Sequence, residues 1–436
     1  MLTQPSLIKT RFISFIGGYK FSIKIKNKCK IFLLIYFILL TRVLYCETCL
    51  IDLYKTGLIT LKASSDFSIK SEWKSLFFNP YNELTVAGDG SIFVSDNREH
   101  NIYKFDKNGN FIKKFGQMGE GPGDLYVPGS MSILDNKYLV VGEYAGNRRI
   151  SIFDLEGNFF KLLKVRGSVY RPTSLKNNKI AYLSYTVVPI GNSTYFYKQI
   201  EINIIDAITN ENIKVNKYEF KEQSIKVDES FKAYVGEVGG NVFIASTNEG
   251  NLLIGDSILS YIDIYSLDGK KIKSFKLNMN PTPVTKKYIN EYKEDYINKM
   301  MQQTWSYAYR EQIKKLKKIS ISHLFADHIP YYYEIMVDTE GNVLIFKKTD
   351  CFGNCPIVFQ VYSPQGKFIC ETELKKGPFE FDIDSRFNNI CFTNQGIFGL
   401  FRLKGDEDMN LQLVKVDLNI ENKVSRVSSP TRGIME

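Results

Sequence analysis

Phe105-Asp106-Lys107-Asn108-Gly109-Asn110-Phe111 and Phe153-Asp154-Leu155-Glu156-Gly157-Asn158-Phe159 are one phrase written twice. An aromatic residue is followed by Asp, two variable residues, Gly and Asn. The phrase returns as Tyr265-Ser266-Leu267-Asp268-Gly269-Lys270 and as Tyr362-Ser363-Pro364-Gln365-Gly366-Lys367. Asp, Asn and Gly supply the positive φ values of a tight turn, and the flanking apolar residues have strand spacing, so each copy predicts a β-hairpin. Degenerate copies without the glycine stand around Asp206 and Asp417, which brings the expected number to six.

A second phrase accompanies the first: a polar Gly/Asn turn followed by a strongly apolar run. Its copies begin at Gly90, Asn136, Asn178, Gly240, Gly341 and Asn389, 42 to 62 residues apart except for one gap of about 100. Apolar strands recurring in a repeat of about 45 residues predict blades that bury their faces only against neighbours. Four strands per blade fit the spacing, and helical repeats do not. The expected fold is all-β: a six-bladed β-propeller spanning residues 50–422, with strands from residues 57–78 completing the last blade and hiding its edge. Residues 423–436 are expected to form a mobile tail.

The long gap lies between blades four and five. Pro281 and Pro283 end the strand pattern, and residues 285–318 contain neither Gly nor Pro. Tyr288, Tyr292, Tyr296 and Met300 recur every fourth residue, and Lys314, Lys315, Lys317 and Lys318 follow. This is amphipathic-helix spacing with a basic C-terminal end. A helical insertion over 284–325 is expected, read as one helix packed over a propeller face, with a partner-binding or membrane-facing helix as the alternative; its Tyr-rich face has few large aliphatics, which counts against membrane insertion.

The net charge of +10 suggests nucleic acid until it is located. Residues 1–46 carry eight basic side chains and no acidic ones, leaving 49 basic against 47 acidic groups in the remainder. The basicity belongs to the leader, so no nucleic-acid partner is expected. Lys24, Lys26, Lys28 and Lys30 precede an apolar run from Ile31 to Leu40. Ten residues rise only ~15 Å as a helix, about half a bilayer core. Residues 1–46 therefore predict a signal peptide or N-terminal membrane anchor, with the protein exported to the cell envelope and touching membrane only there. The stretch before Lys24 is long for such a leader, and no Met follows Met1 before Met118, so an over-extended reading frame is expected. Val43-Leu44-Tyr45-Cys46 is similar to a bacterial lipoprotein signal in its aliphatic residue three before Cys, and departs from it at Tyr45. Cys46 is a lipidation candidate, with ordinary cleavage beyond residue 45 as the alternative.

Cys351-Phe-Gly-Asn-Cys355 spans a turn that a disulfide could close. Free thiols and a zinc site are the rival readings, although none of the three His residues stands at ligand spacing from a Cys.

Phe115-Gly-Gln-Met-Gly-Glu-Gly-Pro-Gly-Asp-Leu-Tyr-Val-Pro128 resembles the linker between NHL-repeat blades, and Val94-Ser95-Asp96 and Asn147-Arg148-Arg149-Ile150 are similar to that repeat. The layout resembles the exported NHL-like six-bladed propeller proteins of bacteria, many of them lipoproteins without an assigned activity. The resemblance covers roughly residues 60–420 and is sharp only in blades one and two. It implies either of two functions. The first is a non-enzymatic scaffold that binds a protein, peptide or carbohydrate through loops at one face. Arg98, His100, Tyr144, Arg148 and Arg149 are its candidate contacts, because they fall in loops of the two clearest blades and because Arg and Tyr are favoured anchors. The second is a metal-dependent lactonase- or lyase-like enzyme using carboxylates or amides in the central channel. Neither H-E-x-x-H nor G-x-S-x-G occurs, so no catalytic residue, metal ligand or cofactor is assigned from the sequence.

Overall fold

A computed structural model of the chain describes residues 14–16, 19–21, 49–69, 82–143, 148–165, 167–190, 195–226, 232–234, 240–303, 307–352, 355–380, 390–394, 396–403 and 412–420. The chain divides into two units, residues 1–52 and 53–436. The described part of the first includes a short hairpin, Ser14–Ile16 with Tyr19–Phe21. The apolar run 31–40, Cys46 and the tail lie outside the described residues.

The second unit is a ring of antiparallel blades. Blade 1 consists of Leu84–Val86, Ile92–Asp96, Asn101–Phe105 and Phe111–Phe115. Blade 2 follows with Pro128–Leu134, Tyr138–Glu143, Arg149–Asp154 and Phe159–Lys164. Blade 3 has longer strands, Ser168–Ser174, Lys179–Pro189, Tyr195–Asp206 and Asn212–Lys226, with Lys232–Tyr234 added at its edge. Blade 4 returns to the short form: Val242–Ser246, Leu252–Asp256, Tyr261–Tyr265 and Lys271–Lys276. Blade 5 comprises Tyr332–Val337, Val343–Lys347, Ile357–Tyr362 and Phe368–Lys375.

Blade 6 takes three strands from the C-terminal part, Ile390–Thr393, Gly396–Leu403 and Gln412–Ile420. Its fourth is Leu58–Ala63, which pairs antiparallel with Gln412–Ile420 through Leu61↔Leu418 and its neighbours. The same strand runs parallel to blade 5's outer strand, Leu374↔Ile59, and so joins the last two sheets. Asp417 therefore lies inside a strand, opposite Lys62, and not in the expected sixth hairpin. No hairpin is needed there, because the fourth strand comes from the other end of the chain.

The four complete hairpin phrases all form turns. In the first, Asp106 accepts from the amides of Asn108 and Asn110, both at 2.9 Å, and from Asn110 Nδ2 at 2.8 Å. Gly109 then takes φ +85°, a conformation costly to any residue with a Cβ. The second phrase is less regular than expected. It opens the second strand in blades 1, 2, 3 and 5. The runs after Gly240 and Asn389 are instead the innermost strands of blades 4 and 6, whose second strands begin at Leu252 and Gly396. Both strand positions are buried on two faces, so their apolar runs look alike.

Apolar clusters lie between successive blades. Phe93, Leu139 and Phe153 join blades 1 and 2, for example, and Phe243, Leu253, Tyr332 and Ile345 join blades 4 and 5. Between blades 5 and 6, Ile59, Leu61, Phe346, Phe359, Ile390 and Ile397 surround a cavity of about 20 Å³. That is room for one water and no ligand.

The insertion is two helices, α1 (Lys286–Gln303) and α2 (Tyr307–Lys315), followed by short 3₁₀ turns, where the sequence predicts a single helix. Ile297, Ile313, Leu316 and Ile321 are buried together, so the helices cover their apolar faces with each other. Among the described residues no helix is long and apolar enough to cross a membrane.

Candidate functional site

Strands alternate in direction within a blade. Turns joining strands 1–2 and 3–4 therefore lie at one end of the ring, and those joining strands 2–3, or one blade to the next, lie at the other. The Asp-x-x-Gly hairpins occupy the first end. The second holds the loops carrying Arg98, His100 and Arg148, the Gly-rich linker 116–127, the helical insertion and the 348–356 loop of blade 5. The long hairpin of blade 3, closed by Pro189↔Phe196, projects there too.

Around blades 1 and 2 this end is built from non-local contacts. Arg149 is 4% exposed, and its Nε bonds Glu143 at 2.5 Å. Its terminal nitrogens donate to the carbonyls of Glu120 and Asp124, both at 2.7 Å. Glu143, fully buried, also accepts from Ser151 at 2.9 Å and from the Tyr126 amide at 3.1 Å. Arg149 is thus a clamp on the linker and not a surface contact. The Asp124 carboxylate accepts from the Gly121 amide and Gln117 Nε2, both at 2.9 Å, and fixes the loop from inside.

His100 is half-buried with φ +55°, its Nδ1 on the Tyr126 carbonyl and its ring 5.8 Å from that of Tyr126. Arg98 and Arg148 are exposed, and so are Met118 and Tyr126 on the linker. His100 is thus tied to the linker, while Arg98 and Arg148 stand in the loops joining strands 2 and 3 of blades 1 and 2 at the same end. Tyr144 lies outside the described residues. Cys351 and Cys355 are bonded, with Cα atoms 5.9 Å apart, in the blade 5 loop at this end.

The channel contains groups that the sequence reading did not single out. Arg171, on the inner strand of blade 3, donates through Nη1 and Nη2 to both carboxylate oxygens of Glu334 on blade 5, each at 2.6 Å. These blades are not neighbours, so the pair bridges over the inner side of blade 4. Its guanidinium also lies 5.0 Å from the centre of Phe243 on blade 4. Arg171, at φ +50°, and Glu334 both sit at register shifts of their strands, where a bulge turns a side chain inward. Ser130 donates to Glu83 at 3.0 Å, and the Ser132 and Ser174 hydroxyls lie 2.7 Å apart. The available signal was a charged residue inside an otherwise apolar inner strand, as in Tyr332-Tyr333-Glu334-Ile335. Among the described residues no three His, Cys, Asp or Glu side chains converge.

One carboxyl at the loop end is strongly perturbed. Asp256 closes the second strand of blade 4 and accepts from the Ile258 amide at 3.1 Å. Burial pushes its pKa up to about 6, opposed by that hydrogen bond and by Lys198.

A ring of four-stranded sheets with inner strands around a channel and an N-terminal strand closing the last blade defines a β-propeller. The chain belongs to the DUF5128 family, described as a 6-bladed beta-propeller, whose family model matches residues 81–346. Among solved structures it is similar to a DUF4221-family member from Bacteroides vulgatus, with 11% identity, TM-score 0.47, and 84% of this chain and 99% of that one covered. A candidate exported protein of Bacteroides fragilis has 13% identity and TM-score 0.45, covering 83% and 100%. A gluconolactonase from Xanthomonas campestris has 10% identity and TM-score 0.40, covering 79% and 89%. The sequence matches none of the curated proteins.

Proposed function

We propose that the protein is an exported, non-enzymatic scaffold that binds a protein, peptide or carbohydrate partner at the loop end of the ring. The observation that carries this reading is the asymmetry of the two ends. The linker clamped by Arg149, the long blade 3 hairpin, the helical insertion and the disulfide loop all stand at the same end. There Arg98, Arg148, Met118 and Tyr126 are exposed on elements held rigidly from beneath, and Arg, Tyr and Met are the residue types enriched at interfaces. The channel supports the same reading, because Arg171 and Glu334 are already matched to each other. The basic, apolar leader supports export, and anchoring through residues 1–46 or a lipidated Cys46 belongs to this proposal.

The test screens residues 50–436 against peptide and glycan arrays, in parallel with the Arg98→Ala/Arg148→Ala variant and with a chelator present. A ligand lost by the variant and retained in the chelator is expected. A chelator-sensitive metal in native mass spectra, together with hydrolysis or elimination on lactone substrates, would overturn the proposal in favour of an enzyme.

A further inference from the structure

The strands of blade 3 end at different heights. Its innermost strand, Ser168–Ser174, pairs with the second only as far as Ser168↔Tyr185. The second and third continue together from Thr186↔Gln199 to Pro189↔Phe196, and the fourth follows the third out to Tyr195↔Gln223. The outer side is covered once more, where Lys232–Tyr234 pairs with Ser224, Ile225 and Lys226. Thr186–Pro189 thus has a strand on one side only, and among the described residues no strand pairs with the other. Because the innermost strand lines the channel, this open edge overlooks the channel mouth at the loop end. Thr186 and Pro189 are exposed, and Val187 is 47% exposed. Elsewhere the ring guards its edges. The outer strands Phe111–Phe115, Phe159–Lys164 and Lys271–Lys276 carry two or three lysines each, and Leu58–Ala63 covers the edges of blades 5 and 6. Thr186-Val187-Val188 is uncharged and β-branched, and Pro189 blunts only its far end.

We propose that Thr186–Pro189 is a docking edge for an extended peptide segment of a partner protein, which adds to blade 3 as a further strand beyond Ser168. Alternate residues of an antiparallel strand turn their N–H and C=O groups to opposite sides. Those facing away from the third strand present donors and acceptors at strand spacing, and another extended backbone matches that repeat. A glycan or a lipid headgroup offers no such repeat. The edge points toward the ring axis, so a slender segment reaches it, whereas a second copy would have to bring its own loop end against this one. On one face Val187 heads a row that runs on through Lys198, 2% exposed, to Phe220, whose ring centre is 5.2 Å from the Lys198 ammonium. A β-branched or aromatic residue is expected in the peptide position beside Val187, extending that covered row. The edge is separate from Arg98 and Arg148, and this inference does not rest on their role.

The experiment selects from a phage-displayed dodecapeptide library on the immobilised full chain and synthesises the enriched peptide. In hydrogen–deuterium exchange, segment 186–188 should exchange at least 10-fold more slowly with the peptide bound, while residues 98–100 and 148 stay unchanged. N-methylation of alternate peptide residues should abolish binding in one register and leave it in the other, the signature of main-chain pairing. Val187→Asp should weaken binding at least 10-fold, with unaltered exchange of residues 252–265 in blade 4 certifying that the ring is folded. Arg98→Ala/Arg148→Ala should leave this binding intact. No enriched peptide, protection only outside 186–188, or indifference to N-methylation in both registers would each overturn the docking edge. So would a dimer of the free protein, seen by light scattering, that Val187→Asp dissolves, since a second copy would then hold the edge.

Discussion

The two ends of the ring differ in how their contacts repeat from blade to blade. At the turn end the hairpins are held within themselves: Asp106 bonds Asn108 and Asn110, and Asp154 bonds Asn158, all within four residues. The bonds that cross between blades there, Gly88 N–H to Asn136 Oδ1 and Asn178 N–H to Asp135 Oδ2, link corresponding turns of neighbours. At the loop end and in the channel the decisive contacts are remote. Arg149 holds the Glu120 carbonyl 29 residues away, and Arg171 holds Glu334 across 163. Local contacts can recur blade after blade, because they need only a short phrase. Remote contacts depend on one particular pair of blades, so they make the loop end specific to this protein.

The largest effect should come from cutting the buried ion pair that joins two blades that are not neighbours. Arg171→Met leaves Glu334, 3% exposed, as an unpaired buried charge, and should destabilise by about 3–5 kcal/mol. Arg171→Met/Glu334→Leu should recover most of that loss, since it removes the stranded charge as well. Urea denaturation of both variants checks this. If the double variant is no better than the single one, the crossbar is not an isolated pair and the contrast between the ends is wrongly drawn.

Asp256 tests the loop end through pH. Its folded pKa of about 6 exceeds the ordinary 3.8, so the folded state binds the proton more tightly than the unfolded chain. Stability from this group is full below about 4 and falls as pH rises through 6. Asp256→Asn keeps an oxygen for the Ile258 amide and removes the buried charge. It should stabilise by about 3 kcal/mol at pH 8, as a shift of about two units implies, and by much less at pH 4. Equal gains at both pH values would show that burial of the charge is not the cause.

At the turn end, Gly157 has φ +78°, and a Cβ there would stand 2.6 Å from the Phe115 ring. Gly157→Ala should cost about 1–2 kcal/mol, most of it backbone strain in the left-handed region. Asn should cost less than Ala if the strain dominates, because it tolerates that region.

The same distinction explains what could be read from the sequence. The hairpins, the blade count and the closing N-terminal strand were legible, since turn chemistry and strand period are written in consecutive residues. The displaced phrases after Gly240 and Asn389 misled because a strand buried on both faces looks the same whether it is first or second in its blade. Asp417 misled because an Asp after an apolar run resembles a degenerate turn until its partner, Lys62, is known. Arg171 and Glu334 were illegible as a pair, since nothing local relates blade 3 to blade 5. Arg149, expected in a loop, opens the third strand of blade 2, and its role as a clamp required the linker carbonyls that surround it.

The smallest effect on stability is expected where the largest effect on binding is proposed. Arg98 and Arg148 are exposed, so Arg98→Ala/Arg148→Ala should leave the denaturation midpoint within about 0.5 kcal/mol of the parent. The same variant should weaken an array-identified ligand by at least 10-fold, since exposed arginines on a rigid frame are typical interface anchors. Arg149→Met should do the reverse, unfolding the linker and lowering stability whatever the ligand, because it strands Glu143. The two neighbouring arginines in Asn147-Arg148-Arg149-Ile150 thus separate the protein's two problems, one exposed at the proposed binding end and the other turned inward to its blade. A loss of stability in the Arg98/Arg148 variant would mean that the outer surface is part of the frame, and the partner would then have to be sought at the hairpin of blade 3 or on the insertion.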